Sequence, residues 1–317
     1  MLIFDKAYTE IKNKYIVPLS SYAVQYRSLR NVNIKAFLNN KWISVEEDSP
    51  GVYLFHFVRD DLYKGMLGDI ELFYIRQLIQ SYDVESIRLT SISANWSIVT
   101  YYYNAFFAAS LLLRLCHRGN IFLDELLRRN VEGLVSQVLG EAIKLDSNMF
   151  YEVIDNNSDK LLKLRSSGKS NTHELVWVEM DKLIDEMRLL SRRGSEEFVF
   201  LDAIKRINNH LQNTYPSKLR NRVNYQPIYG LWYLDKKLFV VNSKISWIDT
   251  ILGFSYTSDD NQIACTMLAY SKYIEYLCNN LIAEYFQMKG NQNGIIKKIN
   301  ESRPVKLDDY SICYSFK

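Results

Sequence analysis

The longest regularity in the chain is apolar and helical. Residues 96–115 are apolar on nearly every face, the pattern of a helix enclosed by partners. Residues 124–144 carry Leu126, Leu127, Val131, Leu134, Val135, Val138 and Leu139 at helical spacing, which predicts an amphipathic helix. Residues 174–190 and 195–211 predict two more, with Ser195 placed to start the second. A long helix follows over 261–288, with Ile263, Met267, Tyr270, Ile274, Leu277, Leu281 and Tyr285 turned inward. Pro216 and Pro227 bracket a short helix over 216–225, because proline suits a first turn and drives the residue before it out of the α region.

The remaining segments are less regular. Residues 5–16 predict a short amphipathic helix stopped near Pro18, and 68–82 return to helical spacing. Residues 41–57 predict two strands around the turn Asp48-Ser49-Pro50-Gly51. The polar stretch 155–172 reads as a mobile connection with a short helix inside it, and 231–241 as a hairpin turning at Asp235-Lys236-Lys237. No internal repeat is present. The expected fold is therefore mainly α in three parts. Residues 1–88 form a mixed α/β N-terminal region, 89–230 a helical bundle with an insertion near 155–172, and 231–317 a hairpin plus a long helix packing on the bundle.

Composition narrows this picture. Among 317 residues there are only 5 Pro and 12 Gly, too few for a sandwich or propeller and consistent with long helices. A hydrophobic share of 48% with 24% charged residues excludes a disordered chain and a coiled coil. The net charge of +3 and pI near 8.4 are too mild to diagnose a nucleic-acid binder. Cys116, Cys265, Cys278 and Cys313 form no CxxC pair and read as free thiols of a reducing cytosol. The first residues hold Asp5, Lys6 and Glu10 and no apolar core, so a cytoplasmic protein is expected. The 25 residues 89–113 carry no charge, a length that can span a bilayer. Yet Ser91, Ser93, Asn95, Ser97, Thr100, Asn104 and Ser110 lie within them, and Arg88 and Arg114 flank them evenly. A buried central helix is expected, with no membrane partner.

Candidate chemistry is sparse. There is no phosphate-binding glycine loop, no HExxH and no GxSxG, and His56, His117, His173 and His210 stand in unlike contexts. Neither a metal nor a cofactor is expected. The stretch Arg220-Asn221-Arg222-Val223-Asn224-Tyr225 stands apart. On a helix Arg220 lies over Asn224 and Asn221 over Tyr225, so one turn offers a guanidinium, two carboxamides and a phenol. A guanidinium fork suits phosphate oxygens, and a phenol can donate or stack on a base. The plain alternative is an Arg/Asn-rich helix that fastens two bundles together.

Two motifs together carry a resemblance. The first, S-x-x-x-Y-Y-x-x-x-F-x-A-x-x-L-L, falls at Ser97, Tyr101, Tyr102, Phe106, Ala108, Leu111 and Leu112. The second, R-x-x-[AV]-[DN]-Y, falls at Arg220, Val223, Asn224 and Tyr225. The chain thereby resembles the HEPN superfamily of prokaryotic helical bundles over roughly 90–230. The resemblance implies a four- or five-helix bundle that commonly dimerises. Many members are metal-independent endoribonucleases of toxin–antitoxin and phage-defence systems, in which an Arg holds the scissile phosphate. A His at R-x(4–6)-H moves protons to and from the 2′-hydroxyl and the leaving oxygen. Carried across, Arg220 is the phosphate ligand and Asn221 the polar residue after it. Tyr225 stands in the place of the His, and Arg222, Asn224 and Tyr102 are further RNA contacts. A phenol with an ordinary pKa near 10 is a poorer base at pH 7 than imidazole.

The expected function is thus an RNA-directed endoribonuclease of a defence or toxin–antitoxin system, working as a homodimer with RNA or nucleotide and a partner protein of the same operon. The alternatives are a non-catalytic helical subunit binding RNA, nucleotide or protein, and an enzyme whose site lies in the flanking regions.

Overall fold

A computed structural model describes residues 5–24, 32–90, 94–156, 159–168, 171–226, 246–256 and 260–289. The predicted hairpin at 231–241, Pro227 and Cys313 lie outside them. The molecule is mostly helical with one small antiparallel sheet.

The uncharged run becomes the central helix α5, Ala94–Leu115. Tyr102, Ala105, Ala108, Ala109, Leu111, Leu112, Leu113 and Leu115 are fully buried, so the helix is enclosed on all sides. Its alanines let neighbours approach closely while its aromatics interdigitate with them. No helix among the described residues is long and apolar enough to cross a membrane.

The N-terminus does not stop at Pro18. Helix α1, Lys6–Ile11, widens into a π-helical turn over Lys12–Ile16 and runs on as α2, Val17–Ala23, with the proline in its first turn. A widened turn just before a proline accommodates the hydrogen bond that the ring cannot donate. The start of α1 has no side-chain cap of its own. The buried Glu197 carboxylate accepts from the backbone N–H groups of Asp5, Ala7 and Tyr8 at 3.0–3.2 Å, pinning this segment to a helix far along the chain.

Helix α3, Ile34–Leu38, precedes the expected hairpin of β1, Trp42–Ser49, and β2, Val52–Phe57. Its turn includes Gly51 at φ +75°. Helix α4, Arg59–Thr90, opens with Asp60 and Asp61 at its positive end. After α5 come β3, Arg118–Phe122, and α6, Glu125–Leu139. The Asp124 side chain caps the start of α6. Gly140 ends it in the left-handed region at φ +76°, so the helix stops before the predicted limit at residue 144.

The stretch 155–172 differs from expectation. It holds most of a hairpin formed by β4, Asn148–Asn156, and β5, Asp159–Ser166, rather than a mobile connection with a short helix. Residues 160–165 alternate, with Lys160, Leu162 and Leu164 buried, and that period-two pattern belongs to a strand with one covered face. The sheet order is β1-β2-β5-β4-β3, antiparallel throughout. Tyr53, Leu164, Tyr151 and Gly119 align across it in one row. The Tyr151 hydroxyl reaches Asp69 of α4 at 3.4 Å, which ties the sheet to the helices.

Further helices complete the described chain. Helix α7 is Thr172–Leu190, capped by Asn171, and α8 is Glu196–Leu211, capped by Ser195 as the sequence predicts. Helix α9 is Tyr215–Tyr225, with proline in its first turn. Helices α10, Trp247–Leu252, and α11, Asp260–Lys289, follow. Met267, Tyr270, Ile274, Leu277, Leu281 and Tyr285 of α11 are buried as expected, against α5 among others.

Candidate functional site

The helical period of α9 divides the predicted cluster. Leu219, Arg220 and Val223 face inward, whereas Asn224 and Tyr225 are exposed and Asn221 and Arg222 lie between. Arg220 is only 9% exposed and Tyr225 is 74% exposed, so the two motif ends do not share an environment. Tyr225 makes no ring contact or hydrogen bond with the other described residues. Of the residues singled out in the sequence, the fold brings Tyr102 and Arg220 together, leaves Asn224 and Tyr225 on the outward side and sets Asn221 and Arg222 between.

The Arg220 guanidinium carbon lies 5.2 Å from the Tyr102 ring centre and 5.6 Å from that of Tyr103. A cation against two aromatic faces is stabilised by their quadrupoles, by about 0.5–2 kcal/mol for each good contact. No carboxylate pairs with it among the described residues, and its Nε is buried without a hydrogen-bond partner. A buried guanidinium set among phenols with no counter-ion is an unusual use of the charge.

Tyr102 is the hub. Its hydroxyl oxygen accepts from Nε1 of Trp177 at 3.3 Å and lies 2.9 Å from Nδ1 of His173. Burial pushes this phenol upward, while the donors around it, Trp177, Ser217 and Arg220, pull back. Ser217, one turn before Arg220, stands close enough to act on the phenol, yet its Oγ makes no hydrogen bond of ordinary geometry.

His173 is the residue that sequence reasoning passed over. It sits in the first turn of α7, half-buried, with its ring 4.4 Å from Phe106, 5.8 Å from Tyr102 and 6.0 Å from Tyr103. Burial and then the Arg220 charge hold its pKa down at about 4, so the imidazole is neutral at pH 7. The available signal was its spacing to Trp177: residues four apart on a helix share a face. What the sequence does not display is that this face meets Tyr102 of α5.

The other histidines lead elsewhere. His117 is buried at φ +60°, with Nε2 3.1 Å from the Tyr15 carbonyl, and His210 packs on Phe254 and Tyr256. No group of His, Cys, Asp and Glu suited to a metal ion occurs among the described residues. The cluster presents donors: a guanidinium, a hydroxyl and an imidazole around one phenol, with no carboxylate among them. Such a set suits an anion. No protein-family model, no curated protein and no solved structure matches this chain.

Proposed function

We propose that this chain is a HEPN-like helical protein of a bacterial phage-defence or toxin–antitoxin system, and that it engages RNA through a phosphate held by Arg220. The observation that carries this reading is the Arg220 guanidinium, nine-tenths buried between tyrosines with no carboxylate to neutralise it among the described residues. A buried cation of that kind is stabilised when an anion arrives, and a phosphodiester matches its planar fork. The outward residues of α9, among them Asn221, Asn224 and the exposed Tyr225, then supply hydrogen bonds and a stacking platform for neighbouring nucleotides. A homodimer places two such faces side by side.

The test uses purified protein with total RNA and with tRNA in the presence of EDTA, beside Arg220→Ala and Tyr225→Phe. Cleavage that survives chelation and disappears with Arg220→Ala supports a ribonuclease. Arg220-dependent binding without cleavage supports the non-catalytic RNA-binding form of the same reading. RNA that neither binds nor is cut refutes it.

A further inference from the structure

The imidazole of His173 and the guanidinium of Arg220 come from different helices but lie against the same two rings, Tyr102 and Tyr103. The hydrogen bonds fix how the imidazole is oriented. An indole N–H can only donate, so Trp177 occupies a lone pair of the Tyr102 oxygen. We assign the phenol's own hydrogen to Nδ1 of His173, 2.9 Å away. That assignment leaves the neutral ring with its hydrogen on Nε2. Nε2 makes no hydrogen bond among the described residues, and neither does Nε of Arg220 or Oγ of Ser217. Around this phenol, then, the buried Nε–H of Arg220 and the Nε2–H of the half-buried His173 are bonded to no described residue.

We infer that Arg220 and His173 of one protomer hold the same oxyanion, and that His173 takes up a proton when the anion arrives. This rests on Arg220 being a phosphate ligand and names its second ligand, which stands outside the motif that drew attention to α9. The groups facing the imidazole are few. Helix α5 contributes Tyr102 and Tyr103, and α9 contributes Arg220, whose charge is the one that opposes protonation. Tyr270 of α11 meets Trp177, one turn further along α7. A bound phosphodiester neutralises the guanidinium, and a dianion such as sulfate also adds negative charge beside the ring; each change favours the imidazolium. The new proton goes on Nδ1, which displaces the phenol's hydrogen. The unpartnered Ser217 oxygen is the acceptor left for it. An anion held in this way has an acidic N–H on one side and a fixed cation on the other, an arrangement competent for proton transfer at a phosphoryl group.

Sulfate is the probe, because it stays a dianion across the range in which histidine titrates. The His173 ring protons are followed by NMR between pH 4 and 8, with and without sulfate, and sulfate affinity is measured at pH 5 and pH 8. We expect the His173 midpoint to rise by at least about one on the pH scale when sulfate binds. Affinity at pH 5 should then exceed that at pH 8 by about twofold for a midpoint raised from about 4 to about 5, and by about tenfold for one raised to about 6. Arg220→Met should abolish sulfate binding. His173→Gln, which keeps an acceptor for Tyr102, should retain binding at pH 8 and lose the pH dependence. Sulfate bound through Arg220 with no movement of the His173 titration would overturn the inference while leaving Arg220 as a phosphate ligand. No sulfate binding at all overturns it as well. Sulfate-linked protonation of His173 in a protein that binds no RNA sustains the inference and removes the RNA reading instead.

Discussion

Replacing Arg220 by methionine separates a guanidinium kept for binding from one kept for stability. The methionine preserves most of the apolar stem and removes the charge. Two contributions favour the native arginine: its contacts with the Tyr102 and Tyr103 faces, together about 1–4 kcal/mol if both are fully desolvated. Two oppose it. The buried Nε has no partner, a cost of about 1–3 kcal/mol, and a cation taken from water without a counter-ion costs several kcal/mol more. The balance is neutral or unfavourable. Arg220→Met should therefore unfold at equal or higher denaturant, with a gain between about 0 and 3 kcal/mol. Equilibrium urea unfolding at pH 7.5 measures it, repeated in sulfate. At a hundred times its dissociation constant, sulfate should stabilise the native protein by about 2.7 kcal/mol and the variant not at all. If Arg220→Met instead loses more than about 3 kcal/mol and sulfate protects neither protein, the arginine is a structural fastener of α9 and the binding argument fails.

Three further perturbations probe the frame around the site. Gly68→Ala would place a methyl on the Val32 carbonyl, backbone against backbone, so it should cost at least about 3 kcal/mol where an alanine in an open helix gains about 1; thermal unfolding reads the sign directly. Glu197→Ala strips the carboxylate from the amides of Asp5, Ala7 and Tyr8 and should cost about 2 kcal/mol or more, with hydrogen exchange rising first at those three amides. His117, held neutral by burial with a pKa of about 4, binds its proton more readily when unfolded, where its pKa is near 6.5. Its contribution is complete above pH 6.5 and is lost as pH falls towards 4, by about 3 kcal/mol in all. Asp69, pushed up to about 6 by burial despite Arg114, works in the opposite direction: it stabilises below pH 4 and ceases to do so as pH rises through 6. Stability curves of His117→Asn against the native protein isolate the histidine, since asparagine tolerates the left-handed backbone; parallel curves would refute its role.

What was legible in the sequence was what local periodicity controls. The enclosure of α5 follows from its uncharged run, the start of α8 from its Ser195 cap, that of α9 from Pro216 in its first turn, and the β1–β2 hairpin from its turn. The β4–β5 hairpin was hidden because Leu161, Leu162 and Leu164 among lysines satisfy a helical spacing about as well as an alternating one. Only pairing with β2, far earlier in the chain, selects the strand. Pro18 misled for the opposite reason: a strong local stop signal was absorbed by a π-helical turn. The site divided in the same way. Tyr102 and Arg220 could be picked out individually, but α9 turns its motif so that one residue faces in and another faces out. His173 gains its meaning from two other helices.

That division bears on which group can move a proton here. The chain has 23 tyrosines, and several of those the fold encloses have phenols driven upward by burial, Tyr151, Tyr215, Tyr270 and Tyr285 among them. Such groups hold their protons at neutral pH and serve as packing and hydrogen-bond donors. Of the imidazoles, His117 is sealed against the Tyr15 carbonyl, and the cations Arg118 and Lys14 that act on it are paired with Glu186. His173 alone among the described residues joins partial exposure, a hydrogen bond to a buried phenol and a guanidinium against that same phenol. The low pKa that keeps it neutral arises first from burial and then from that guanidinium, so an anion that neutralised Arg220 would also return His173 towards the range where imidazole exchanges protons. Ligand and acid–base group are then linked by one charge, and the tyrosine that ends the motif is not needed for either role.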